Sequence, residues 1–194
     1  MRLHCQFSTS VALTDLEDYI QHLEISVGCY DEECENEYVV GKLAVDRILW
    51  ADAFIDGTAL SEICDSDSQS LHEVHSILTK GKEDFRRDLK IEEFTNHVMF
   101  LRRAVIHPTL YAYHPGILYA SLNLFGEESL AVMRMHTSGL SESDLADLGF
   151  CKIAASELID RHSSLRTPFN EAHPSGQETG DAVALPEHEA WVMQ

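Results

Sequence analysis

The stretch HVMFLRRAVIHPTLYAYHPGILYASLNLFG, residues 97–126, decides the fold. From His97 to His107 it is rich in branched and apolar side chains and reads as a strand, which Pro108 closes because proline has no N–H to give to a ladder. From Gly116 to Phe125 it is apolar nearly all round and stops at Gly126, the pattern of a helix packed inside a protein. A strand that leads into a buried helix is one step of α/β layering.

The same alternation continues outward. Downstream, Ser129 to Met135 reads as a strand, Ser141-x-x-Asp144 opens a short helix ending at Gly149, Phe150 to Ala155 reads as a strand, and another runs up to Arg161. Upstream, Ser70-x-x-Glu73 has capping-box spacing and opens a helix with Leu71, Val74, Ile77 and Leu78 on one face, stopping near Gly81. Before it lie a β-rich run from Tyr38 to Leu49 and a turn at Gly57. Thr14-x-x-Glu17, with Leu16, Tyr19, Ile20, Leu23 and Val27 following, predicts an N-terminal helix up to Gly28, and an acidic loop joins it to the strands. Beyond His162, Pro168, Pro174, Gly176, Gly180 and Pro186 break the chain at short intervals, leaving only Ala190-Trp191-Val192 as an apolar end. The division expected is therefore residues 1–36, an N-terminal helix and acidic loop; 37–162, an α/β domain; and 163–194, a poorly structured acidic C-terminal tail.

With 194 residues, 44% of them apolar and 24% charged, the chain suits one globular domain. The N-terminal residues lack the apolar stretch of a secretory signal and no window matches a membrane span, so a cytoplasmic protein is expected. Cys5, Cys29, Cys34, Cys64 and Cys151 are odd in number and irregularly spaced, which indicates reduced thiols rather than a disulfide framework or a zinc ribbon. The net charge is −19, and residues 1–96 carry 8 basic and 21 acidic side chains. Such a field repels nucleic acid and anionic membrane; it attracts amine-bearing small molecules or a basic protein or peptide, and also serves solubility. The run from Asp65 has neither the glycine nor the glutamate that a calcium loop requires, and His72 with His75 finds no third ligand nearby, so no metal is expected.

Leu101-Arg-Arg-Ala-Val-Ile-His-Pro108, with the following loop and the helix from Gly116, resembles the central strand, pyrophosphate loop and helix of the GNAT N-acetyltransferase superfamily. Asp144-Leu-Ala-Asp-Leu-Gly-Phe150 is similar to that superfamily's short helix and its entry to a late strand. The resemblance implies binding of acetyl-CoA or another acyl-CoA, with the backbone at Val105 and Ile106 along the pantetheine arm and Tyr111, Ala112, Tyr113, His114, Gly116 and Ile117 around the pyrophosphate. It also implies a mixed, mainly antiparallel sheet flanked by helices, and transfer of the acyl group to an amine. Where the family has arginine or glutamine and then a glycine-rich run, this chain has Tyr111, Ala112, Tyr113, His114, Pro115 and Gly116, so cofactor affinity is expected to be low. Val98 to His107 holds no carboxylate to serve as base; His97, His107, Glu92 and Glu93 are the nearest candidates, and Tyr111, Tyr113 or Tyr119 could protonate a leaving thiolate. The alternative is a non-catalytic acidic protein that keeps this fold and binds a basic partner.

Overall fold

The computed structural model describes residues 2–7, 14–31, 36–80, 84–86, 89, 95–124, 129–153 and 156–162. In chain order these form β1 (Arg2–Phe7), a 3-10 turn (Leu16–Tyr19), β2 (Ile20–Asp31), β3 (Asn36–Ile48), α1 (Trp50–Ile55), α2 (Leu60–Asp67) and α3 (Gln69–Leu78). There follow β4 (Thr79–Lys80), β5 (Asp84–Phe85), β6 (His97–Ile106), a 3-10 segment (Pro108–Tyr113), α4 (His114–Leu124), β7 (Ser129–Arg134), α5 (Glu142–Asp147), β8 (Cys151–Lys152) and β9 (Leu158–His162). Seven strands make one sheet in the order β1-β2-β3-β6-β7-β9-β8, while β4 and β5 pair separately. Within the large sheet β6 and β7 run parallel and every other neighbouring pair is antiparallel. The class is thus α/β with a mixed, mainly antiparallel sheet.

Alternation along the strands divides the apolar side chains between two faces. Leu23, Ile25, Val27, Leu43, Val45, Met99, Leu101, Ala131, Met133 and Ile159 meet Ile117, Leu118 and Leu122 of α4 and Leu145 of α5. On the other face Ile20, Ile48, Val98, Phe100, Leu130, Val132 and Leu158 meet Ala53 of α1, Leu60 and Ile63 of α2, and Leu71, Val74 and Leu78 of α3. The sheet therefore lies between two helical layers, each covering apolar surface that water would otherwise meet.

The helix expected over residues 14–27 is not formed: this segment is a 3-10 turn followed by β2. Thr14 and Asp15 each donate a backbone N–H to the Asp18 carboxylate at 2.9 Å, which closes one turn only. Beyond it Leu23, Ile25 and Val27 are buried and alternate with His22, Glu24 and Ser26, a period of two that pairing with β1 and β3 rewards. β1 and β2 belong to the main sheet, so the boundary expected at residue 37 falls inside the β2–β3 pair.

Other expectations shift by smaller amounts. Residues 60–67, left without an element by the sequence reading, form α2, and α3 is capped by Ser68, whose hydroxyl accepts from the Leu71 N–H at 3.3 Å. Of the strand expected from Phe150 to Ala155, the described residues form Cys151–Lys152, and residues 154 and 155 lie outside them. Ser141 and Asp144 make the reciprocal capping contacts their spacing predicts, and Gly149, with φ 85°, follows α5. The acidic residues 32–35, Glu92, Glu93 and residues 163–194 lie outside the described residues. No described helix is long and apolar enough to cross a membrane.

Candidate functional site

The parallel pair β6 and β7 is paired from His97 opposite Ser129 to Leu101 opposite Met133. There the ladder stops, although β6 continues to Ile106 and stays paired on its other edge, Val105 with Lys42 and Ile106 with Gly41. Residues 102–106 consequently present an edge without a ladder partner among the described strands, at the end of the sheet where the chain turns into α4. Gly41 lets the strands approach closely there: a side-chain carbon in its place would stand 2.5 Å from Cδ1 of Ile106 and 3.2 Å from the Val105 carbonyl oxygen, so the Ile106 side chain would have to shift.

The residues predicted around a cofactor gather at this end. Ile106 is buried and Val105 half-buried at the close of β6; Tyr111, Ala112 and Tyr113 are exposed on the 3-10 segment; Ile117 is buried in the first turn of α4. His114, the first residue of α4, is only 4% exposed, and its ring stacks on Tyr111 with centroids 6.2 Å apart. Its Cε1 comes within 4.0 Å of the point where a side chain would begin at Gly139, in the turn after β7. The imidazole therefore spans the space between the segments leaving β6 and β7. Its Nε2 is buried without a hydrogen-bond partner, and burial lowers its pKa, with Asp144 acting in the opposite sense.

The candidate bases are not brought together. His107 directly follows β6, its N–H donating to the Val40 carbonyl at 2.8 Å, whereas His97 begins the same strand, nine residues and roughly 30 Å from Ile106 at the usual strand rise. Burial first, and the Arg47 guanidinium second, bring the His97 pKa down to about 4. Tyr119 lies further along α4, where the Arg161 guanidinium sits 4.7 Å from its ring centroid.

The opposite face of the sheet carries a polar cluster the sequence did not disclose. Asp46, 1% exposed, meets His22 Nδ1 at 2.7 Å and accepts from Nε of Arg102 at 2.9 Å; His22 Nε2 is 3.5 Å from Asp67 at the end of α2. Arg102 is the extra residue of a bulge, since Val45 faces Leu101 and Ala44 faces Arg103, and the bulge aims it at Asp46. Burial pushes the Asp46 carboxyl up, against the pull of His22 and Arg102. Only the period-two reading of residues 20–27 could have pointed to His22, and the strand register was not in the sequence. Among the described residues no three His, Cys, Asp or Glu side chains converge in a way that could hold a metal ion. Cys29, Cys64 and Cys151 are free thiols, Cys64 buried and pushed up to about 12. No protein-family model, curated protein or solved structure matches this chain.

Proposed function

We propose that this chain is a GNAT-like protein whose acyl-CoA site lies along the free edge of β6, retained in outline and poorly fitted to the cofactor. The observation that carries the reading is the early end of the β6–β7 ladder, which leaves residues 102–106 with one edge that no described strand pairs, beside the start of an eleven-residue helix. An extended amide-bearing arm can pair with such an edge at Val105 and Ile106, and amides at the start of a helix suit an anionic group. The far end of the site fits less well. Pro115 offers no N–H, and the His114 ring occupies the approach between the two segments. When bound, an acyl-CoA would supply a thioester to an amine. The chain's own part is to align the arm on β6 and, with His114 in its observed rotamer, to obstruct the pyrophosphate end.

Calorimetric titration with acetyl-CoA tests this. Wild-type protein is expected to bind weakly, and His114→Ala, which clears the approach, to bind at least roughly tenfold more tightly, about 1.4 kcal/mol. Equal affinities would sink the account of His114. The second reading, a non-catalytic acidic protein for a basic partner, draws on the same obstruction and on the net charge of −19. It takes precedence if neither protein binds acetyl-CoA at millimolar concentration.

A further inference from the structure

A small open cavity of about 170 Å³ lies beside α5, lined by Met135, Leu145, Phe150 and Ile159, with the exposed Glu142, Ala146 and Lys152 at its rim. The fold produces this arrangement directly. Met135 is the residue after β7, and Ile159 points from β9 to the helix-covered face that Leu145 and Phe150 also share. Lys152 is two positions from Phe150 in an extended segment and so leans to the same side, while Ile153 between the strands packs on the opposite face.

The rim carries one charge of each sign, and neither is paired with a described residue. Asp144, the other carboxylate in the first turn of α5, is engaged by the Ser141 N–H and hydroxyl. Glu142 makes no ion pair with Lys152 or with any other described residue, and Lys152 likewise has none. An apolar slot of this size is below the roughly 300–1,000 Å³ of sites for drug-sized ligands, and suits a single short side chain. Two opposite charges at its mouth match a molecule that carries both an ammonium and a carboxylate beside such a side chain.

We propose that this cavity binds a free α-amino acid with an aliphatic or thioether side chain, its ammonium held by Glu142, its carboxylate by Lys152 and its side chain among Met135, Leu145, Phe150 and Ile159. Binding requires no coenzyme. One of its lining residues, Met135, lies two residues beyond Met133, the last β7 residue paired with β6. That the bound amine is the acyl acceptor rests on the acyltransferase reading above.

Ligand-observed NMR titration of the full chain with L-leucine and L-methionine tests the site, with 3-methylbutylamine lacking the carboxylate, 4-methylpentanoate lacking the amine, and glycine lacking the side chain. Leucine and methionine are expected to saturate in the millimolar range, each single-charge analogue to bind roughly two- to fivefold more weakly, as for an exposed ion pair, and glycine not to bind. Glu142→Gln is expected to weaken leucine and leave 4-methylpentanoate unchanged, and Lys152→Gln to weaken leucine and leave 3-methylbutylamine unchanged. Ala146→Trp, at an exposed position on the rim, should block the slot while the melting temperature holds. Absence of saturation at about 20 mM, or analogues that bind as well as leucine, overturns the proposal. Leucine binding without acetyl-CoA binding leaves the site standing and removes the acyltransferase reading; the reverse removes the site alone.

Discussion

His97 and His114 show how burial leads in setting the state of an imidazole. Both have lowered pKa values with desolvation as the first cause, and for His97 the result is about 4 against an ordinary 6.5. Between those values the unfolded chain takes up a proton at this position and the folded chain does not. The contribution of His97 is therefore present above pH 6.5, declines as the pH falls, and is gone below about 4. Urea unfolding of the wild type and of His97→Gln at pH 7 and pH 5 should show a smaller loss in the variant; equal losses would mean that His97 is protonated within the fold. Neither state was legible in the sequence, where a histidine at a strand start and one before Pro115 look alike, because burial depends on what the rest of the chain packs over each.

At the scale of elements, α4 illustrates which helix signals carry over into packing. Its apolar sequence predicted burial, and Leu118 is fully buried against the sheet, yet Leu124 is 59% exposed at the helix end. Leu118→Ala is expected to cost about 2–5 kcal/mol in denaturant unfolding and Leu124→Ala about 0.5 kcal/mol or less. Similar costs for both would place Leu118 outside the core. Segment 20–27 is the counter-case: Ile20, Leu23 and Val27 satisfy a helical spacing, Leu23, Ile25 and Val27 satisfy a strand, and the neighbours β1 and β3 select the strand by supplying partners for its backbone. A capping signal one turn long cannot outweigh two ladders.

For the whole molecule the dominant quantity is charge. With 33 acidic and 14 basic side chains the compact state repels itself, and salt relieves this over distances longer than the Debye length. Raising NaCl from about 10 mM to about 200 mM is expected to raise the melting temperature by about 2–4 °C, equivalent to about 1 kcal/mol. The buried contact of Arg102 with Asp46 should be little screened, so a fall in melting temperature would indicate that surface ion pairs outweigh the repulsion. The α/β class, β6, α4, β7, α5 and its capping box were determined by the sequence, because period, caps and breakers act over a few neighbouring residues. The tertiary structure alone decided that β2 is a strand, that the β6–β7 ladder ends at Leu101, that His114 closes on Gly139, and that Glu142 and Lys152 share one cavity rim. Each of these depends on the register and approach of segments far apart in the chain, which local pattern does not encode.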